Sequence, residues 1–295
     1  MAQVLQESRS ETQPGFSTPR RERRLNWWQI VIYICLGICT ISALGPLVFT
    51  LISSFKTMHD VLAFPPSLLP NPFIWSNYQE VLSNALFTRW IFNAFVYAGG
   101  TMILNVIFSA MAGYALGRMN FPGRNILFGL TLAVMMIPNA ITLIPKFLVI
   151  NTMHLNNTYF ALILPMMAQP MTVFIMVQFM KTLPRELEES AMIDGASRVR
   201  TFFQVILPLV KPALTAVAIL TFQGAWNDFQ WPLVALGTQD MYTLPLGLFY
   251  FKSAHYTEYN LLLAGSMFNT IPILFLFFIF QRYFIEGALG SSVKG

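Results

Sequence analysis

Several uncharged polar side chains lie within an apolar segment in the last third of the chain, where few polar residues are expected. Gln223, Asn227 and Gln230 follow one another at i, i+4 and i+7, and Trp226 stands beside them. On a continuous helix this spacing places the three amides along one face. Amides and an indole ring can bind a neutral polyhydroxylated ligand through hydrogen bonds and ring packing. The segment is therefore a candidate part of a substrate path.

Polar side chains in other apolar segments are candidates for the same path. Asn93 and Asn105 lie in one such segment, Gln169 in a second and Asn269 in a third. The alternative is that these amides form hydrogen bonds between helices, as polar residues in membrane bundles often do. Asp228 is an acid near the end of an apolar segment, where it either has a functional role or meets interfacial water. The predicted substrate path consists of Gln223, Trp226, Asn227, Asn93 and Asn269.

The segment 183–208 is an island of charge in an otherwise apolar chain. Pro184 suits the first turn of a helix, and the three glutamates that follow it lie near the positive end of that helix. Gly195 can adopt the left-handed conformation that ends a helix, and a second short helix can begin at Ala196 or Ser197. We therefore predict a helix–turn–helix elbow that lies outside the bilayer between two spans.

The sequence contains no catalytic set and no metal-binding motif, so we predict no enzyme activity, no metal site and no cofactor on this chain. It has no G-x-x-x-x-G-K-[ST] loop to hold a nucleotide phosphate. Cys35 and Cys39 are one helical turn apart in an apolar segment, where small apolar filler is their expected role. If transport is driven by ATP, the nucleotide and its magnesium ion must bind to a separate ATPase polypeptide.

Composition places the chain among polytopic membrane proteins. Hydrophobic residues make up 55% of the sequence and charged residues 11%, and the mean hydropathy is +0.57. The net charge of +5 does not indicate nucleic-acid binding, because the basic residues fall in alternate loops between apolar segments. Membrane lipid is the expected partner instead. The apolar segment after residue 26 has no small-residue cleavage site, so we expect it to remain as an anchor.

Six apolar segments are long enough to be transmembrane helices, so the predicted fold class is an all-α polytopic membrane protein. The predicted spans are 27–53, 90–116, 125–149, 158–180, 209–231 and 260–280. Prolines in the third, fourth and sixth spans predict kinks, either around a cavity or merely in aid of packing. Gly113 and Gly117 in the second span are spaced for a close helix contact. Prolines in the external segment 55–88 exclude a continuous helix there.

The distribution of basic residues predicts the orientation of the chain. Fourteen of the eighteen Lys and Arg residues fall in the two tails, the loop around residue 120 and the elbow. Because basic loops are retained in the cytoplasm, both termini and the elbow are predicted to be cytoplasmic. The predicted divisions are a cytoplasmic N-terminal tail (1–26), a first span with an external segment (27–88), a core of five spans (89–281) and a cytoplasmic C-terminal tail (282–295).

The charged segment also resembles a known family signature, the EAA loop in permease subunits of binding-protein-dependent ABC importers. The family pattern is E-A-A-x3-G-x9-I-x-L-P, and the chain departs from it by a serine for the first alanine and a valine for the isoleucine. The residues that follow the pattern are Glu189, Ser190, Ala191, Gly195, Leu207 and Pro208. The resemblance implies a type I ABC importer permease fold, in which this loop docks into a cleft of the ATPase subunit.

Two further stretches, 225–228 and 287–295, resemble the sugar-importing branch of this family, and in particular the second permease subunit of the type found in the maltose importer. The resemblance implies that the tail residues Val293, Lys294 and Gly295 reach the ATPase dimer. It also implies that an external loop, here 237–258, helps to displace sugar from the binding protein. The implied partners are a second homologous permease, two ATP-binding subunits and an extracytoplasmic solute-binding protein, in a bacterial or archaeal cell (inner) membrane.

Two other functions remain open at this point. The first is an importer permease for another small solute, such as a glycerophosphodiester or a polyol. The second is a secondary transporter driven by an ion gradient, although such carriers often contain paired repeats and no second copy of any motif is present in the sequence. A membrane enzyme is less consistent with the sequence, because no catalytic set is present.

Overall fold

The computed structural model describes residues 27–249 and 257–290, with side chains described in 27–249 and 257–281. Within these ranges the regular secondary structure is helical, and no β-strand is present. The α-helices are α1 (Trp27–Ser53), α2 (Met58–Leu62), α3 (Ser76–Ser83), α4 (Phe87–Arg118), α5 (Arg124–Met135), α6 (Asn139–Thr152), α7 (Tyr159–Ile163), α8 (Pro170–Thr182), α9 (Glu186–Ile193), α10 (Arg198–Thr201), α11 (Leu207–Leu209), α12 (Lys211–Trp226), α13 (Gln230–Ala235), α14 (Leu244–Phe249) and α15 (Tyr259–Gly290). Short 3-10 helices span Leu164–Met166 and Gln239–Met241, and a π-helix spans Phe202–Ile206.

The chain divides into two compact units after Val48. Among its described residues, the first unit is the apolar helical stretch 27–48. The hydroxyl of Thr40 donates to a backbone carbonyl one turn earlier at 2.8 Å, so this polar group is satisfied within the helix. Cys35 and Cys39 are free thiols on this stretch.

In the second unit α4 is the central helix, and α8 and α12 pack along it. Glycines on α4 explain how closely α8 approaches. A Cβ atom at Gly113 would lie 2.6 Å from the Cβ atom of Met176, and one at Gly117 would lie 3.3 Å from the carbonyl oxygen of Val177. The close contact that the spacing of these two glycines predicts is therefore confirmed.

Two hydrophobic cores lie at different levels of this bundle. The first, which we call the elbow core, includes Tyr114, Met176, Met180, Phe202, Ile206, Val210 and Val217. The second, which we call the cavity-side core, includes Trp90, Tyr97, Leu162, Phe222, Trp226, Trp231 and Leu244. Because α12 contributes residues of its first half to the elbow core and residues of its last turn to the cavity-side core, it connects the two levels.

The segment between α1 and α4 is folded and contains two short helices, so the prediction that it holds no continuous helix is confirmed. Aromatic rings stabilise it: the ring of Phe55 lies 4.3 Å from that of Phe73 and 4.9 Å from that of Tyr78. The buried amide of Asn77 donates to two backbone carbonyls and accepts a hydrogen bond from Asn260 on α15 at 2.9 Å. The segment is thereby fixed to the start of the last long helix.

Three helices, α1, α4 and the first part of α15, are each long and apolar enough to cross a membrane unbroken. Three further helix pairs qualify only if each pair counts as one broken span. The bend between α5 and α6 is 108°. The bend between Tyr159–Met166 and Pro170–Thr182 is 41°, and the bend between Arg198–Leu209 and Lys211–Trp226 is 77°. Pro138 and Pro170 stand at the first two breaks, as predicted, whereas α6 and α15 continue through Pro145 and Pro272. The six-span count and the cytoplasmic termini remain predictions.

One predicted boundary needs correction. The fifth span was expected to run from 209 to 231, but α12 ends at Trp226 and a new helix, α13, begins at Gln230. The predicted sixth span, 260–280, agrees with the apolar stretch Tyr259–Gln281, and the helix itself continues to Gly290. The N-terminal tail (1–26), residues 250–256 of the external loop, and the predicted tail contacts Val293, Lys294 and Gly295 lie outside the described residues.

Candidate functional site

The elbow is built from a short helix that ends at a glycine in the left-handed conformation. Gly195 has φ +80°, and its N–H donates to the carbonyl of Met192 at 3.0 Å. The N–H of Ala196 reaches back to the carbonyl of Ala191 at 2.9 Å. These two bonds satisfy carbonyls that the end of α9 would otherwise leave free. The predicted role of Gly195 in ending this helix is confirmed.

The second arm of the elbow starts directly after this turn. Ser197 is the N-cap of α10, and its hydroxyl oxygen accepts a hydrogen bond from the N–H of Arg200 at 3.3 Å, which confirms the predicted start. The π-helix that follows leads to Pro208 and the 77° bend into α12. Phe202 of this arm is buried against Tyr114, with ring centroids 5.0 Å apart. The second arm is therefore packed into the elbow core.

One arginine on α4 fixes the start of the elbow to the bundle. Nη1 of Arg118 donates to the carbonyls of Leu183 at 2.7 Å and Met180 at 3.4 Å, and Nη2 donates to the carbonyl of Pro184 at 3.0 Å. Its Nε lies 3.2 Å from Oε2 of Glu188, and both side chains are largely buried. The guanidinium group thus closes the end of α8 and holds the first turn of α9 at once. The sequence showed this residue only as one of the basic charges in the loop around residue 120.

The opposite side of the elbow is open to solvent in this chain. Glu189 and Ser190 are exposed, and Ala191 is half-buried. Ile193, the last residue of α9, is 86% exposed, and Val199 of α10 is 67% exposed. A charged residue beside exposed apolar ones is typical of a surface that another protein covers.

A cavity of about 850 Å³ lies where three helix breaks meet. The breaks are those between α5 and α6, before α8, and between α12 and α13. Polar and aromatic side chains in its lining include Tyr97, Lys146, Gln169, Asp228, Gln230 and Trp231. Broken helices expose backbone polar groups, which is tolerated at membrane depth where they line a cavity.

The carboxylate of Asp228 is held in place at the wall of this cavity. The hydroxyl of Tyr97 donates to Oδ2 at 2.8 Å, and the backbone N–H of Trp231 donates to Oδ1 at 3.3 Å. The ammonium group of Lys146 lies 5.3 Å from the centroid of the Trp231 ring, a cation–π arrangement. The indole N–H of Trp231 in turn donates to the carbonyl of Ala161 at 3.1 Å. The structure therefore brings together an acidic, a basic and two aromatic residues from α4, α6, the connection between α12 and α13, and α13 itself.

Of the predicted path residues, Trp226 and Asn93 are part of the packing. Trp226 is 1% exposed, its ring stacks on Phe222 with centroids 5.7 Å apart, and its N–H donates to the carbonyl of Asn269 at 2.9 Å. Asn93 is fully buried and donates to the carbonyls of Asp240 and another residue of that turn. Its amide oxygen accepts the hydroxyl of a tyrosine at 2.6 Å. Neither side chain has an open face or a spare group for a ligand.

The remaining predicted residues do not form one polar stripe. Gln223 is exposed on α12, and Asn227 follows the helix end, where its amide donates back to the carbonyl of Gln223 at 3.1 Å. Asn269 donates to the amide oxygen of Asn227 at 3.3 Å. Gln230 lies on the next helix and lines the cavity, as Gln169 does. The i, i+4, i+7 interpretation fails because the helix stops at Trp226.

Asn105 has the structural role that was the alternative for these amides. Its oxygen accepts the hydroxyls of Ser109 and Thr221, each at 3.2 Å, and its nitrogen donates to the carbonyl of Met166 at 3.2 Å. Three helical segments are thereby linked inside the bundle.

Sequence reasoning missed Tyr97 and Lys146 in the cavity. A signal for Lys146 was present, because a lysine inside a predicted span is rare and usually faces a cavity or a partner. It was instead counted with the four basic residues on the external side. Among the residues that the structure describes, no group of three or more His, Cys, Asp and Glu side chains could hold a metal ion.

Comparisons with known proteins give the family. The arabinooligosaccharides transport system permease protein AraQ of Halalkalibacterium halodurans is 37% identical to this chain over 274 residues, which cover 92% of this chain and 97% of that protein. The sn-glycerol-3-phosphate transport system permease protein UgpE of Yersinia enterocolitica is 30% identical over 271 residues, 89% of this chain and 96% of that protein.

The fold is also similar to a crystal structure of a bacterial ABC transporter involved in the import of the acidic polysaccharide alginate. The TM-score is 0.79 at 23% sequence identity, and the match covers 90% of this chain and all of that one. This likeness supports the type I importer permease fold. Residues 106–288 match the family described as binding-protein-dependent transport system inner membrane component. Since that match covers more than half of the sequence, the chain belongs to this family of transport permeases.

Proposed function

We propose that this chain is the transmembrane permease subunit of an ATP-driven, binding-protein-dependent carbohydrate importer. The observation that carries the proposal is the elbow, whose exposed face is free in this chain while its other side is bound to the helices around the cavity. Such an element can receive a motion outside the membrane and pass it to a path inside. Six spans with both termini in the cytoplasm of a bacterial or archaeal cell are part of the proposal.

The ATPase-coupling surface in this proposal is the EAA-like motif. Glu189, Ser190 and Ala191 lie on the first arm, Gly195 sets the angle between the arms, and Leu207 and Pro208 lead into the bend before α12. The exposed side chains of Ile193 and its neighbours support contact with an apolar cleft on another protein. ATP and magnesium bind to two separate ATPase subunits, and this chain holds no cofactor.

Helix α12 is the connection between the elbow and the cavity. Val210 and Val217 belong to the elbow core, while Gly224 and Ala225 line the cavity about two turns beyond Val217. A packed helix transmits a displacement of one end to the other because its interior side chains are close-packed. Movement of the elbow would therefore shift the cavity wall around Asp228. A second homologous permease completes the path, and an external solute-binding protein supplies the substrate.

Carbohydrate is the substrate class that the relatives support best, since AraQ is named for arabinooligosaccharides. A second candidate is a phosphorylated small solute, because UgpE is named for sn-glycerol-3-phosphate. An ion-driven carrier is disfavoured by membership in a binding-protein-dependent family.

Uptake assays on cells that carry the full complex test this proposal. Uptake of labelled neutral oligosaccharides and of labelled sn-glycerol-3-phosphate is compared between cells with intact ATP and cells depleted of ATP. The ion gradient is maintained in both sets of cells. We expect saccharide uptake that stops with ATP depletion and is lost in Glu189→Lys, a charge reversal on the exposed face of α9. Uptake that survives ATP depletion while the ion gradient is intact would refute an ABC importer, and uptake of the phosphorylated solute alone would replace carbohydrate by that solute.

A further inference from the structure

Lys146 is a cation in the cavity wall with unused hydrogen-bonding capacity. Within the described part of the chain, its ammonium group lies over the ring of Trp231 and donates no hydrogen bond to a protein oxygen. An ammonium group has three N–H donors. A half-buried cation with three free donors, at the wall of a cavity, is a strong donor site for the oxygen atoms of a ligand.

Asp228 supplies the complementary acceptor. Tyr97 and the backbone of Trp231 each donate one hydrogen bond to its carboxylate, one to each oxygen. An ionised carboxylate can accept about four hydrogen bonds, so each oxygen keeps capacity for a further donor. The two bonds from the protein fix the orientation of the carboxylate before any ligand arrives, which reduces the cost of binding.

The charge of the cavity argues for a neutral ligand. Among the residues that the structure describes, Lys146 and Asp228 are the only Lys, Arg, Asp or Glu residues in its lining, so their formal charges cancel. An anionic ligand would gain an attraction to Lys146 but would meet the carboxylate of Asp228. A polyhydroxylated neutral ligand can use both groups, because each hydroxyl both donates and accepts.

We propose that Lys146 and Asp228 form a subsite for two neighbouring hydroxyl groups of a neutral saccharide, with Lys146 as donor and Asp228 as acceptor. This assignment rests on the function proposed above and makes it specific to one place on this chain. It differs from the path suggested by the sequence, because none of Gln223, Trp226 and Asn227 belongs to the subsite.

The test measures equilibrium binding of labelled saccharides to the purified membrane complex. The binding protein is left out, because its own affinity for the saccharide would otherwise set the apparent affinity. The neutral probes are labelled arabinotriose, diacetylchitobiose and maltotriose, and the anionic probe is labelled trigalacturonate. Lys146→Met should weaken binding of the preferred neutral probe by about tenfold or more, because a charged hydrogen-bond donor is lost. Lys146→Arg, which keeps the cation and its donors, should restore much of that loss.

Two further variants separate the subsite from general damage. Lys181→Met makes the same substitution at a lysine that also lies over a ring, Phe128, but outside the cavity, and should bind as the wild type does. Asp228→Asn leaves the cavity with a net positive charge, so the ratio of trigalacturonate to neutral-saccharide binding should rise.

The outcomes distinguish this inference from the proposed function. Wild-type affinity in Lys146→Met, or a wild-type complex that prefers trigalacturonate, overturns the subsite. A wild-type complex that binds none of the neutral probes overturns it as well. In each of these cases the function as a carbohydrate importer is judged separately, by ATP-dependent uptake in whole cells with the binding protein present.

Discussion

Removing the guanidinium group of Arg118 should release the elbow from the bundle while leaving its exposed face unchanged. Arg118→Ala takes away the donor for three backbone carbonyls and the cation beside Glu188. The two side chains are 4% and 12% exposed, so the glutamate is left as a nearly buried charge without its partner. Breaking such a buried pair by removing one member costs about 3 to 5 kcal/mol.

The chemistry of the pair sets the order of effects among its variants. Arg118→Lys keeps the charge but reaches fewer acceptors, because an ammonium group lacks the planar fork of a guanidinium group. Glu188→Gln keeps the carbonyl contacts of the arginine and removes only the charge. We therefore expect the loss in free energy of unfolding to be largest for Arg118→Ala and smaller for Arg118→Lys and Glu188→Gln. A double-mutant cycle of Arg118→Ala with Glu188→Gln should give a coupling energy of about 0.5 to 3 kcal/mol.

Two measurements check this prediction on the reconstituted complex. Unfolding in detergent gives the free energies, and ATP hydrolysis stimulated by loaded binding protein reports the action of the elbow. We expect the ATPase to co-purify with Arg118→Ala, since the exposed face is intact, but stimulation to fall. Arg185→Ala is the matched control and should behave as the wild type does, because it removes an exposed arginine within the elbow whose side chain, in the described part of the chain, forms no ion pair with Glu188. We call the contact of Arg118 with Glu188 and the start of the elbow the tether. If the changes in unfolding free energy are additive in the cycle and ATP hydrolysis is stimulated normally, the tether is refuted.

Three other predictions follow from single features of the structure. Gly195→Val places a β-branched residue at φ +80°, which should cost about 1 to 2 kcal/mol or more and reduce ATPase stimulation; normal stimulation would show that the turn tolerates a side chain. Gly113→Ala should destabilise the bundle by about 1 to 3 kcal/mol in thermal unfolding, because its Cβ atom would lie 2.6 Å from that of Met176. The control is Gly99→Ala, in open space on the same helix, which should not destabilise the bundle. A single cysteine at position 5, in a background without Cys35 and Cys39, should resist impermeant thiol reagents in intact cells, and labelling there would refute cytoplasmic termini.

The elbow could be predicted from the sequence because its determinants are local. A glycine after a short charged helix, a serine as the next N-cap and a proline before the following span each act within a few residues. Gly195 and Ser197 are found in those roles. The tether could not be predicted, because the sequence separation of Arg118 and Glu188 gives no indication that α4 and α9 meet.

The stripe of amides was predicted less well, because it depends on where a helix ends. The amides of Gln223, Asn227 and Gln230 share a face only if one helix continues through all three, and the chain instead leaves the helix after Trp226. No proline or glycine lies within 227–229, so the usual sequence signal for a helix break is missing there. The ring of Trp226, which looked suited to a ligand, is committed to Phe222 and to the carbonyl of Asn269.

The cavity shows why a single polar residue in a span is hard to interpret without its neighbours. Pro138 and Pro170 correctly indicated breaks, but nothing in their spacing placed them beside the end of α12. Lys146 and Asp228 come from spans that were expected to carry their charges to the outer surface, and only the convergence of three breaks gives these two residues a common cavity. An intramembrane charge therefore gains functional meaning from the helix ends that surround it, and these are set by tertiary packing rather than by local sequence.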